Sequence, residues 1–225
     1  MFFSGPMGLT ISGIGYALAA TATKPIIVYI AGDSTVCDQT GNAFGGWGQM
    51  LPQYFKPPVE ISNYANSGAS SASFYGSFWG QIKAKWKVGD WAFIQFGHND
   101  KTATDAEVQA NLEKYVADAQ AAKVNPILIS PPARVQFSGS TISDQSSLHA
   151  AAAKAAAAAK GCPYIDLTSL SIAWYNSLGS SSAALKYHAN GSDVTHTNLA
   201  GADKLAGFIA GDIKAQNIGL VNYLR

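Results

Sequence analysis

Short uncharged runs of β-branched and aromatic residues alternate with stretches of helical spacing along most of this chain. The first run, Ile26-Ile27-Val28-Tyr29-Ile30, passes straight into the small-residue turn Ala31-Gly32-Asp33-Ser34-Thr35. A run that is apolar on both faces predicts a strand in the middle of a parallel sheet. Runs at Val59–Tyr64, Trp91–Phe96, Pro126–Ser130 and Pro163–Leu167 predict four further strands. Small or polar turns follow three of these: Ala65 to Ser71, Gly97-His98-Asn99-Asp100, and Pro131-Pro132.

Helical patterns fill the gaps. Trp47 to Leu51 starts a short helix in which Pro52 is tolerable, and apolar spacing resumes at Phe78, Ile82 and Trp86. Thr104 and Glu107 form a capping-box pair ahead of Val108, Leu112, Tyr115, Val116 and Ala119, which share one amphipathic face. Ser143 to Lys160 is mostly alanine, the strongest helix former, with Gly161 placed as a C-cap. Leu170, Trp174 and Leu178 mark the next helix, and Asn198 caps a last one carrying Leu205, Phe208, Ile209 and Ile213. This alternation predicts an α/β fold with a five-stranded parallel sheet covered by helices on both faces. No linker or repeat interrupts it, so residues 24–225 are expected to form one domain.

With 225 residues, 48% of them hydrophobic, the chain is long enough for a substantial core. Fifteen basic against fourteen acidic residues leave a net charge of +1. Neither a basic stripe nor a like-charge run marks a surface for nucleic acid or anionic membrane. No Lys, Arg, Asp or Glu precedes Lys24, and the run from Met7 to Ala22 ends in Ala17-Leu18-Ala19-Ala20-Thr21-Ala22. A signal peptide over residues 1–23, and hence secretion, is the expectation, although the basic n-region is missing beyond the terminal amine. Thr10, Ser12 and the glycines make the run a poor membrane span. Cys37 follows one strand and Cys162 precedes another, on opposite edges of a parallel sheet, which argues against their pairing. Asn190-Gly191-Ser192 is a glycosylation sequon.

Open α/β sheets carry reactive groups at their carboxyl edge, and the first strand delivers Ser34 there. A serine hydroxyl is a weak nucleophile; it needs a base, a group that orients the base, and donors for the oxyanion. His196 is the candidate base. Asp193, from the same tight loop, can hold its Nδ1 while Nε2 faces Ser34. Candidate oxyanion donors are the backbone N–H of Ser34 at a helix start, the N–H of Gly68, and the side-chain amide of Asn99. Asp33 is expected to shape the Ser34 turn by accepting backbone N–H bonds, and His98 to support the Asn99 turn through hydrogen bonds. His149 is expected on the surface of the alanine-rich helix, and His188 is a candidate for lining the cleft. No substrate-binding residue stands out.

An isolated Asp-x-x-His more often caps a helix beside a structural histidine; the joint order of motifs discriminates. Gly-Asp-Ser after the first strand, a glycine turn after the second, Gly-x-Asn-Asp after the third and Asp-x-x-His near the C-terminus resemble the SGNH (GDSL-type) hydrolases. Ser34, Gly68, Asn99 and His196 stand in that family's order, and the resemblance runs from about Ile26 to Asp212. It implies a three-layer α/β/α sandwich with strand order 2-1-3-4-5, and ester hydrolysis through an acyl-enzyme without metal or cofactor. Gly32 to Val36, Gly46-Trp47-Gly48, Phe96 to Asp100 and Asp193 to Asn198 are similar to the rhamnogalacturonan acetylesterases. That implies an acetylated polysaccharide or oligosaccharide as substrate; separately, a monomer is the expected working form.

One block departs from the family: Gly-Arg-Ser-x-Arg-Ser is replaced by Gly68-Ala69-Ser70-Ser71-Ala72-Ser73. Arginine is a strong carboxylate binder, so a neutral acetylated hemicellulose stands level with an acidic pectic chain. A metal hydrolase built on Asp193, His196 and His188 is disfavoured because their spacing matches no strong ligand signature, and two further alternatives remain. One is an SGNH lipase or thioesterase acting on longer acyl chains, with Phe78, Trp79, Trp174 and Tyr175 as its groove. The other is a non-catalytic carbohydrate-binding SGNH module.

Overall fold

The computed structural model describes Met1, residues 24–39 and residues 43–225; the expected signal peptide thus falls outside the described residues except at its first position. Seven strands are present among them: β1 (Ile26–Ala31), β2 (Val59–Asn63), β3 (Trp91–Ile94), β4 (Asn125–Ile129), β5 (Phe137–Ser138), β6 (Thr141–Ile142) and β7 (Tyr164–Ile165). Five pair in parallel, in the order β2-β1-β3-β4-β7, while β5 and β6 form a small separate hairpin. With the hairpin set aside, this is the expected 2-1-3-4-5 sheet. The helices are α1 (Trp47–Met50), α2 (Ser71–Ser77), α3 (Trp79–Lys83), α4 (Asp105–Ala121), α5 (Ala150–Lys160), α6 (Leu167–Ser177), α7 (Ser181–Ala184) and α8 (Leu199–Ala215).

The two-residue alternation of β1 divides the core into two layers. Val28 and Ile30 pack with Phe93, Ile127, Trp47 of α1 and Leu205, Ile209 and Ile213 of α8. Tyr29 and Ala31 face the other way, toward Phe74 of α2, Leu112, Tyr115 and Val116 of α4 and Ala153 and Ala156 of α5. Val28 and Ile30 are completely buried, and burial of such a side chain stabilises the fold by about 1.5–3 kcal/mol. The small side chains on one side of α5 let it pack against the sheet and α4 without bulk. Ile30 pairs with Asn63 on one side and Phe93 on the other. The turns after β1, β2 and β3 therefore leave the same edge side by side.

Three local expectations are corrected. The alanine-rich helix starts at Ala150, not Ser143, because the Asp144 carboxylate accepts the Ser146 N–H at 2.9 Å and His149 turns left-handed at φ 56°. His149 is buried, not on the surface: its Nδ1 lies 2.6 Å from Asp105 Oδ1 and its Nε2 3.1 Å from the Asp100 carbonyl oxygen. The fifth sheet strand stops at Ile165 because Asp166 caps α6, accepting the Ser169 N–H at 3.0 Å. Cys37 and Cys162 are free thiols, and burial pushes both up to about 11.

Candidate active site

The Ser34 turn is held from beneath. The Asp33 carbonyl accepts the N–H groups of Val36 and Cys37, both at 3.1 Å. This makes a single turn rather than the helix start expected after β1. The Asp33 carboxylate is fully buried; its Oδ1 accepts the Thr35 N–H at 2.9 Å and the Thr35 hydroxyl at 2.7 Å. Gln95 donates to Asp33 Oδ2 at 3.3 Å and accepts the Trp47 indole N–H at 2.8 Å. Burial raises the Asp33 pKa above the ordinary carboxylate value, and the bonds from Thr35 and Gln95 oppose that rise. As expected from sequence, Asp33 shapes the turn that presents its neighbour.

Ser34 Oγ lies 2.9 Å from His196 Nε2, and His196 Nδ1 lies 3.0 Å from Asp193 Oδ2. The other Asp193 oxygen accepts the N–H groups of Thr195 at 2.7 Å and His196 at 2.8 Å. Burial disfavours the charged carboxylate, but the hydrogen bonds from His196 and Thr195 outweigh it and hold Asp193 below the usual range. At neutral pH this carboxylate is ionised and orients the imidazole. Thr197 and Gly45 exchange two hydrogen bonds of 2.8 Å, fastening the histidine loop to the segment before α1. The Phe44 ring meets His196 edge-on at 5.7 Å between centroids.

The second and third turns close on the first. Asn66 N–H donates to the Gly32 carbonyl at 2.9 Å, and Asn99 Nδ2 donates to the Ala69 carbonyl at 3.1 Å. Asp100 accepts the Ser71 N–H at 3.0 Å and hydroxyl at 2.6 Å, tying the start of α2 to the Asn99 turn. Gly68 is exposed at φ 80°, a left-handed conformation that suits glycine. Gly97 is required more strictly: at φ 153°, a Cβ would sit 2.2 Å from the Leu148 carbonyl oxygen. Among the described residues, no acceptor takes the N–H of Ser34 or of Gly68. A polarised hydroxyl, an oriented imidazole and uncommitted N–H donors at one rim are the parts that acyl transfer uses.

Other sequence candidates take different places. His98 is buried beside the Pro132 carbonyl, but neither ring nitrogen makes a well-formed hydrogen bond, so the side-chain hydrogen bonds expected to support the Asn99 turn are not found. Burial, then the charges of Arg134 and His196, bring its pKa down to about 3. His188 turns Nε2 to the Tyr175 hydroxyl at 2.9 Å; its side chain is almost wholly buried, yet the residue forms part of the wall of a hollow shared with Ala43, Lys186, Asn190, Asn198 and Leu199. Burial brings its pKa down to about 4. Trp79 and Tyr175 lie in the core and line no acyl groove. Sequence reasoning passed over Phe44, Gln95 and Arg134. The Arg134 Nε donates to Thr195 Oγ1 at 3.3 Å, a contact across the chain that no local spacing announces.

Residues 30–204 match the model of the GDSL-like lipase/acylhydrolase family. The chain belongs to this family. As a GDSL-family protein it is 30% identical over 209 residues to the probable rhamnogalacturonan acetylesterase YesY of Bacillus subtilis (strain 168), covering 86% of this chain and 94% of that one. It is 29% identical over 222 residues to the rhamnogalacturonan acetylesterase RhgT of the same organism, covering 89% and 95%. The crystal structure of YxiM from Bacillus subtilis superposes with a TM-score of 0.81 at 30% identity; the match covers 88% of this chain and 58% of YxiM. Axe2, an acetylxylan esterase from Geobacillus stearothermophilus, superposes at 0.64 with 16% identity over 86% of this chain and 96% of its own, a likeness of fold. This GDSL-family chain is a carboxylic ester hydrolase of the SGNH type.

Proposed function

We propose that this hydrolase is a serine esterase that removes acetyl groups from an acetylated polysaccharide or oligosaccharide. The observation that carries it is the unbroken contact chain from Ser34 Oγ through His196 to Asp193, at 2.9 and 3.0 Å. Ser34 Oγ attacks the acetyl carbonyl carbon while His196 Nε2 takes its proton and Asp193 steadies the imidazolium. Charge moves onto the carbonyl oxygen, where the N–H groups of Ser34 and Gly68 and the Asn99 amide receive it. The carbon–oxygen bond to the sugar breaks, and His196 returns the proton to the departing hydroxyl. A water deprotonated by His196 then attacks the acetyl-Ser34 ester, releasing acetate and restoring the hydroxyl.

The acetyl-carbohydrate part of this reading draws on the names of the relatives YesY and RhgT. An exported location, expected from residues 1–23, suits a polymeric substrate. The test is Ser34→Ala. It is expected to abolish acetate release from acetylated pectin, xylan or mannan, and labelling by a fluorophosphonate, with an unchanged circular dichroism spectrum. A variant that keeps near-parental turnover would remove Ser34 from the mechanism, and a wild type that ignores all three polymers would remove the carbohydrate.

A further inference from the structure

Beside the histidine loop lies a cavity of about 380 Å³ lined by Lys101, Arg134, Gln136, Ser147, Val194 and Thr195. That volume is within the range of small-ligand sites. Its lining holds two cations and no carboxylate. Among the described residues, neither Lys101 nor Arg134 is in an ion pair. Arg134 Nη2 donates to the His98 carbonyl oxygen at 3.5 Å, and both charges disfavour protonation of the buried His98 ring.

The cavity is fastened to the reacting groups. Val135 N–H donates to the Val194 carbonyl at 2.7 Å, and the Arg134 guanidinium reaches the Thr195 hydroxyl at 3.3 Å. Thr195 adjoins His196, whose Nε2 is 2.9 Å from Ser34 Oγ. A ligand in the cavity thus touches the acid–base loop at Val194 and Thr195, one residue before His196. Asp193, next to the lining residue Val194, has both oxygens engaged by the Thr195 and His196 N–H groups and the imidazole and makes no ion pair with either cation.

The position also bears on the missing arginines of the Gly68–Ser73 block. Ala69 is buried under the Asn99 contact and Ala72 faces a different hollow, shared with Thr102 and Glu107. That block presents no cation, whereas the loops after β3 and β4 present two.

We propose that the Lys101–Arg134 cavity binds the carboxylate of a uronic acid residue at, or next to, the sugar whose acetyl group meets Ser34. The proposal rests on the carbohydrate-deacetylase reading above and selects within it an acidic chain over a neutral one. Arg134, fixed by Nε on the Thr195 hydroxyl and Nη2 on the His98 carbonyl, has no described acceptor on Nη1, and Lys101 supplies a mobile point charge; both are donors that a carboxylate accepts.

Two measurements test it separately from the esterase reading. The first is calorimetric titration with unacetylated trigalacturonate and with its methyl ester. The free acid is expected to bind at least about tenfold tighter than the ester. Lys101→Gln, at an exposed position, and Arg134→Gln are each expected to weaken the acid by about three- to tenfold while leaving the ester's affinity alone. Raising salt from about 0.05 M to about 0.5 M is expected to erase most of the difference. Equal binding of acid and ester, no binding of either, or an unaltered affinity in Lys101→Gln would overturn the subsite.

The second is acetate release from acetylated pectic fragments before and after methyl esterification of their carboxylates. A rise in KM with little change in kcat is expected on esterification and in Lys101→Gln. A fall in kcat alone, equal on both substrates, would make these residues supports of the histidine loop and overturn the subsite. Acid-selective binding without any acetate release would leave the subsite standing and overturn the deacetylase reading.

Discussion

Asp193→Asn isolates the orienting role of the carboxylate, because the amide is its isostere. One amide atom must face the N–H groups of Thr195 and His196, now 2.7 and 2.8 Å from Asp193 Oδ1. If that atom is the oxygen, the NH2 faces His196 Nδ1, now 3.0 Å from Oδ2. Nδ1 must then accept, which puts the ring proton on Nε2, pointing at Ser34 where a lone pair is needed. If the amide flips, its NH2 meets two backbone donors and loses both bonds. In related serine triads such a tautomer error costs about 10⁴-fold in kcat. Here the two side chains are 29% and 30% exposed, so water partly screens the effect. The expected loss in kcat/KM is about 10³-fold, or about 4 kcal/mol of transition-state stabilisation. The assay is p-nitrophenyl acetate hydrolysis from about pH 5 to pH 9, with thermal denaturation alongside. Asn should hold the melting point, whereas Asp193→Ala, which leaves two N–H groups without their acceptor, should lose about 1–2 kcal/mol of stability. An Asn variant within threefold of wild type at neutral pH would show that the imidazole does not depend on Asp193.

Two further outcomes are expected. Asn99→Ala should lower kcat by about a hundredfold with little change in KM, as loss of an oxyanion donor does; an unchanged kcat in steady-state assays would exclude that role. Stability should fall between about pH 7 and pH 5, read as the urea midpoint. His98 and His188 stay neutral in the fold down to about 3 and about 4. Unfolded they take a proton near the ordinary 6.5, so the unfolded state gains protons first and each site costs about 2 kcal/mol over that interval. Asp33 and Asp100 carry raised pKa values and act with the opposite sign, blunting the loss; a midpoint that rises toward pH 5 would contradict the histidine contribution.

The centre of the sheet was legible because its strands are buried on both faces, so apolar runs and the turns ending them mark strand and edge together. Ser34, Gly68 and Asn99 sit in those turns, and Asp193 and His196 are close enough in sequence for one loop to present both. What stayed hidden depends on contacts between distant segments. Alanine content predicts a helix from Ser143, yet His149 leaves the helical conformation and bonds to Asp105 and the Asp100 carbonyl. Nothing near His149 in the chain encodes those partners. Arg134 stands in Pro131-Pro132-Ala133-Arg134, a stretch without periodicity, and gains its meaning only from distant partners, Thr195 sixty-one positions away and the His98 carbonyl thirty-six away. Phe44 likewise acquires a role only when the Gly45–Thr197 bonds bring it to the imidazole.

Burial explains why one of four histidines is the candidate base. His98 and His188 are nearly sealed from water, and desolvation keeps them from taking a proton near neutrality. His149 is buried too, its two nitrogens directed at Asp105 and the Asp100 carbonyl, with none facing a hydroxyl nucleophile. Only His196 combines a 30% exposed side chain, a carboxylate on Nδ1 and a serine hydroxyl on Nε2. A base must be both solvated enough to hold a positive charge and fixed enough to aim its lone pair. The histidine loop meets both demands by anchoring its backbone to Ala189 and Gly45 while leaving the ring at the rim. Moving that ring into the interior would stabilise its neutral form, as it does for His98, and remove the proton acceptor that Ser34 needs.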